Sequence, residues 1–183
     1  MTDRCALLLR AVNVSGTGRV PMAQLRALLA ERTTLTGVST YIASGNILCD
    51  APDDLDAACA VVRRLIAESF GVDAAVIART HAALAVAERA DPFPDAPLEK
   101  MVHAMFLADE PAPDGVERLT ARLRPGERIR LVAPELWIDY GAGGVAGTRL
   151  TGAALDRALG VPGTARNLNT LRRLVELTAS PAA

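Results

Sequence analysis

Short apolar runs alternate with stretches in which apolar residues recur every three or four positions, and the alternation occurs twice along the chain. Ala6–Leu9 is continuously apolar, the pattern of a strand buried on both faces. Asn13–Arg19 follows as a polar loop carrying two glycines. Pro21 suits a first helical turn, and Met22, Leu25, Leu28 and Leu29 repeat at helical spacing. Gly37 precedes a second strand, Val38–Ile42; Ser44-Gly45-Asn46 makes a turn, and Ile47–Cys49 returns as a third strand. Asp53 is the predicted N-cap of a helix whose apolar face is Leu55, Cys59, Val62, Ile66 and Phe70, with Gly71 as its stop. Asp54 and Asp56 favour the positive end of that helix. Ala75–Ala78 completes a β-α-β-β-α-β order, and a further helix is expected at Thr80–Arg89.

The segment Asp91–Pro97 holds three prolines in seven residues and reads as a stiff linker. Beyond it the order restarts: a strand at Val102–Leu107, a helix at Gly115–Leu123, strands at Arg128–Val132 and Leu136–Tyr140, a helix at Thr151–Leu159 closed by Gly160, a strand at Gly163–Arg166 and a last helix at Leu168–Thr178. Trp137 and Tyr140 lie three apart in one strand and so point to opposite faces, with Trp137 in the core. The expected fold class is α+β: two ferredoxin-like (α/β-plait) subdomains, 1–90 and 99–183, with antiparallel sheets and appended helices, joined by a Pro-rich linker at 91–98.

This topology gathers polar residues that are distant along the chain. Right-handed crossovers and a hairpin bring the end of the first strand, the first loop and the second turn to one sheet edge. Arg10, Asn13, Ser15, Arg19, Ser44 and Asn46 are therefore expected as neighbours. Free N–H groups of the first helix, an arginine and short polar side chains can hold a phosphate or carboxylate. Each shielded charge-assisted bond contributes about 1.5–3 kcal/mol. The competing reading is structural: Asn and Ser in turns bond their own backbone, and Arg10 is a solvated strand end. The second half offers a parallel case. Gly141–Thr148 is a glycine-rich loop leading to Arg149, and the last strand ends at Arg166-Asn167. There Arg149 and Arg166 are expected to approach each other beside two helix starts and, with Asn167, to favour an anion; the structural alternative has Asn167 or Asn169 capping the final helix and Arg166 paired with a carboxylate.

Composition narrows the alternatives. The 183 residues carry a net charge of −1, which supplies no general field for nucleic acid or anionic membrane. Half the residues are hydrophobic and 3% aromatic, so the core is aliphatic and no aromatic pair for stacking RNA bases is expected on the strands. Lys100 is the only lysine; the arginine excess matches either anion recognition or a GC-rich genome, and its even spread favours the genome. Cys5, Cys49 and Cys59 show no CxxC spacing and suit a reducing cytoplasm. The apolar run after Arg4 is too short for a signal peptide, and no stretch is long enough to span a membrane. His81 and His103 share no ligand spacing, so neither a metal site nor a cofactor is expected, and no catalytic residue is named. Gly16-x-Gly18-x-x-Pro21 lacks the third glycine of a dinucleotide fingerprint and the Gly-Lys-Ser/Thr ending of a P-loop.

The motifs themselves resemble a known family. LLLRAVNVSGTGRVPMAQLRALL is similar to "LLRGINVGGKNKVPMAELR" of the bacterial domain-of-unknown-function family 1697 (DUF1697). TYIASGNIL is close to its "TYIQSGNVVF", DPF recurs near residue 92, and RLTGAALDRALGVPGTARNLNTLRRL is like its "KLTNALLERKLGVPATTRNWNTVLKL". Ala11 replaces the family's glycine, Arg19 its lysine and Leu168 its tryptophan, which removes a stacking group. The resemblance implies two α/β-plait subdomains and no activity. The polar positions that match are Arg10, Asn13, Ser44, Gly45, Asn46, Arg166, Asn167 and Asn169. The expected function is binding of an anionic small molecule. The alternatives are a nucleic-acid-binding module and a protein-interaction or assembly role, with the oligomeric state and any catalysis left open.

Overall fold

The computed structural model describes residues 3–14, 16 and 18–179. Among these the chain is a mixed α+β protein with two four-stranded antiparallel sheets and seven helices. It divides into two compact units, Met1–Leu84 with Leu174–Ala183, and Ala85–Arg173.

The first unit runs β1 (Arg4–Leu9), α1 (Met22–Arg32), β2 (Ser39–Tyr41), β3 (Asn46–Asp50), α2 (Leu55–Phe70), β4 (Val76–Thr80) and the start of α3 (His81–Arg89). The strand order is β2-β3-β1-β4. Leu7, Leu8 and Leu9 are all fully buried, as their unbroken apolar run requires of an inner strand. Leu7 and Leu9 pack with Ile47 under Leu25 and Leu29 of α1 and Val62 and Ile66 of α2. Each such leucine contributes about 1.5–3 kcal/mol by leaving water. The N-cap of α2 is Asp54, not Asp53: Asp54 immediately precedes the first helical residue, and its carboxylate accepts from Ala57 N at 2.8 Å. Gly71 ends the helix in the left-handed conformation, φ +67°.

The second unit holds β5 (Val102–Leu107), α4 (Gly115–Thr120), β6 (Arg128–Val132), β7 (Glu135–Asp139), α5 (Gly144–Gly147), α6 (Gly152–Leu159), β8 (Gly163–Asn167) and the larger part of α7 (Leu168–Thr178). Its strand order, β6-β7-β5-β8, repeats that of the first sheet. Met105, Leu107, Leu136 and Ile138 meet Leu119, Leu155 and Leu159 in the core. Trp137 is fully buried, as expected, and Tyr140 is buried too, within the helix-side cluster. α4 stops at Thr120 rather than Leu123, because the chain beyond it tightens into i→i+3 bonds, Arg122 N to Leu119 O and Leu123 N to Thr120 O. The glycine-rich stretch before Arg149 contains one helical turn, α5. The proline-rich segment is anchored within this unit. Arg128 donates to Asp95 at 2.8 Å and to the buried Asp139 at 2.9 Å, and its guanidinium stacks 4.7 Å above Phe93.

His103 lies half-buried on β5, beside Met101 O at 3.1 Å and edge-on to Tyr140. Burial holds its imidazole below the usual value, and the contact with the Met101 carbonyl offsets part of this. The unfolded chain therefore binds the proton more readily than the native one. Stability should be undiminished above about pH 6.5, the unfolded value, and fall as the pH drops toward the lower native value. Urea titrations from neutral to mildly acidic pH should show this decline. His103→Gln should flatten it, and equal slopes for the two proteins would rule the histidine out.

Candidate functional site

The loop after β1, the start of α1 and the end of β2 enclose an open groove of about 630 Å³ in the first unit. Its lining includes Asn13, Arg19, Met22, Arg26, Thr40 and Ile42. Asn13 builds the groove by clasping its two walls. Its amide nitrogen donates to Val20 O at 2.9 Å and to Ala43 O at 2.8 Å, while its oxygen accepts from Val20 N at 2.9 Å. Ala11, Asn13 and Ile42 have φ of 54°, 54° and 48°, left-handed conformations that are costly for side-chain-bearing residues and for β-branched Ile42 above all.

α1 begins beside this groove with Pro21 at its N-cap, so that residue offers no side-chain acceptor, and no acid stands in the first turn. The first helical bond is Leu25 N to Pro21 O, which leaves the N–H groups of Met22–Gln24 outside the intrahelical ladder. Arg19 is exposed at the rim. Arg26, one turn into the helix, donates to Thr40 Oγ1. Guanidinium groups, a hydroxyl and the positive helix end thus share one groove. The described lining residues carry no carboxylate, imidazole or thiol, so the arrangement binds negative charge without supplying a base.

The other expected site residues occupy different surroundings. Asn46 is fully buried and closes the β2–β3 turn, donating to Tyr41 O at 3.0 Å and Ser44 Oγ at 3.3 Å. It pairs with Leu8, whereas the helix-side face carries Leu7 and Ile47. Arg10 follows the last residue of β1, its backbone N–H bonded to Ala75 O at 2.9 Å and its neighbour Leu9 N to Gly45 O at 2.8 Å. The first strand and the second turn are therefore adjacent at the backbone, while among the described residues the groove takes only Asn13 and Arg19 from the expected set. Ser15 lies outside the described residues.

In the second unit, Arg149 is exposed whereas Arg166 is 6% exposed. Arg166 donates to Thr164 Oγ1 at 2.7 Å and Ala165 O at 2.9 Å, and burial pushes its pKa down to about 10. The helix ends there have their own acceptors. Thr151 Oγ1 accepts from Ala154 N at the start of α6, and Asn167 Oδ1 from Thr170 N at the start of α7. Arg26 and Thr40 escaped the sequence reading. Arg26 follows Met22 by four positions, which puts it over the helix start, but only the fold brings Thr40 beneath it.

Among the described residues no helix is long and apolar enough to cross a membrane. The fold and groove define a two-unit α+β protein with a cationic surface cleft. The chain belongs to the family described as Protein of unknown function (DUF1697), whose model matches residues 1–137. Among solved structures it is similar to conserved bacterial protein SP0830 from Streptococcus pneumoniae, with 17% identity and a TM-score of 0.72 over 98% of this chain and 100% of that one. This likeness shows the shared fold. Comparison with curated proteins gave no match.

Proposed function

We propose that the groove between the Asn13–Val20 loop, α1 and β2 binds a small molecule through a phosphate or carboxylate group. The observation that carries this reading is the start of α1, which offers free N–H groups in a cleft flanked by Arg19 and Arg26. Its counterpart in the second unit, α4, also lacks a side-chain cap but carries Glu117 in its first turn, while the starts of α6 and α7 are capped by Thr151 and Asn167. The helix dipole and two solvated guanidinium groups together support a dissociation constant of about 0.1 mM, roughly 5.5 kcal/mol. We read each unit as a ferredoxin-like plait, a reading supported by the repeated β-α-β-β-α-β element order and the β2-β3-β1-β4 strand order. The cytoplasm is the compartment we favour, in keeping with three free thiols.

Calorimetric titration with inorganic phosphate and a panel of phosphorylated and carboxylated metabolites tests the site. At least one should bind, and Arg19→Ala and Arg26→Ala should each weaken it about tenfold, or 1.4 kcal/mol. A panel without a single binder, or a double variant that binds like the native chain, would sink the proposal.

A further inference from the structure

Cys5 and Cys49 face each other across β1 and β3, the two inner strands of the first sheet. Their sulfurs are 3.5 Å apart and both residues are fully buried. The bonds Ala51 N to Asp3 O and Leu9 N to Gly45 O mark Asp3–Ala51 and Leu9–Gly45 as hydrogen-bonded pairs in the same ladder. Cys5–Cys49, two residues inward from the first, is therefore also a hydrogen-bonded pair, with Cα atoms about 5.5 Å apart. That separation falls within the range a disulfide spans, and the sulfurs need to close by only about 1.5 Å to bond.

We infer that Cys5 and Cys49 form a latent cross-strand disulfide, closed by a peroxide and reopened by a thiol reductant. Either thiol can donate across this contact, so either sulfur can react first; the steps are given for Cys49. Cys49 sulfur attacks one peroxide oxygen; the O–O bond breaks, water leaves, and Cys49 becomes a sulfenic acid. Cys5 sulfur then attacks the Cys49 sulfur. The S–S bond forms, hydroxide leaves and takes the Cys5 proton as a second water. The two sulfurs lose two electrons in all, and the peroxide gains them. Hydrogen peroxide is small and neutral enough to enter between packed side chains, which a bulky disulfide oxidant is not. Cys59 lies on α2, half-buried against the same core cluster that holds both sulfurs, with burial first among the causes that push its own thiol up to about 11.

The test is hydrogen peroxide treatment of the folded full chain, followed by denaturation, alkylation and peptide mapping by mass. The expected product has lost two hydrogens, retains one alkylatable thiol at Cys59, links the Cys5 and Cys49 peptides, and reverts with dithiothreitol. Cys59→Ser should cross-link as readily as the native chain. Three alkylatable thiols after exposure, a bridge that includes Cys59, or a mass gain from sulfinic acid at Cys5 or Cys49 would each overturn the inference. The native chain and Cys59→Ser suffice for the decision, so it does not depend on core variants that fail to fold.

Discussion

Gly45→Ala is expected to destabilise the first unit by about 2–5 kcal/mol, the sum of left-handed backbone strain and overpacking. Gly45 has φ +81°, and a Cβ there would sit 2.6 Å from Val12 Cγ2 and 2.7 Å from Leu9 Cβ. Leu9 is fully buried and Val12 is 1% exposed, so neither can move into solvent. The Leu9 contact is with a Cβ fixed to the backbone, and relief requires β1 and the turn to separate. Gly45 O accepts from Leu9 N at 2.8 Å, so that separation also loosens the ladder. Gly71→Ala isolates the strain: φ is +67° and nothing lies within 4 Å of the added atom. It should cost about 1–2 kcal/mol, the left-handed penalty alone. Urea unfolding of the two variants measures the difference directly, and equal losses would refute the packing contribution at Gly45.

The same positions show what the sequence makes legible and what it hides. Strand β1 was readable from three consecutive leucines, and α2 from an aspartate cluster before its first turn and a glycine after its last. These signals are local, because capping and left-handed stops act within a few residues. The cap falls one residue later than the sequence suggests because Asp53 and Asp54 are chemically alike. Only the geometry decides which carboxylate reaches Ala57 N. The candidate site was legible at its centre, where the Asn13–Arg19 loop meets the start of α1. Its second cationic arm was not, since Arg26 is drawn to Thr40 by the packing of α1 over β2. Asn46 shows the reverse. Its polarity suggested a ligand contact, yet it sits on a fully buried position and bonds the turn it belongs to. A polar residue in a turn has two outlets for its hydrogen bonds, backbone and ligand, and spacing alone does not choose between them.

Asn13→Ala should cost the first unit about 2–4 kcal/mol, from three lost hydrogen bonds and the left-handed backbone. Val20 is fully buried, so its N–H and C=O lose partners that water reaches poorly. Ala43 is exposed, and its carbonyl can turn to solvent, which keeps the total below the sum of three buried bonds. Alanine must also hold φ +54°, a conformation asparagine tolerates better. Asn13→Asp separates geometry from polarity. It keeps an acceptor for Val20 N but sets a second carboxylate oxygen against the carbonyls of Val20 and Ala43, so it should be no rescue. In both variants the loop that carries Arg19 is freed from the β2–β3 turn. Phosphate affinity should then fall at least tenfold, about 1.4 kcal/mol, at temperatures where circular dichroism shows the unit folded. An Asn13→Ala protein that unfolds within 0.5 kcal/mol of the native chain, well inside about 1 kcal/mol per lost bond, would mean that the loop is held by other contacts. The groove would then owe its shape to the chain around Gly18 and Pro21 rather than to this one amide.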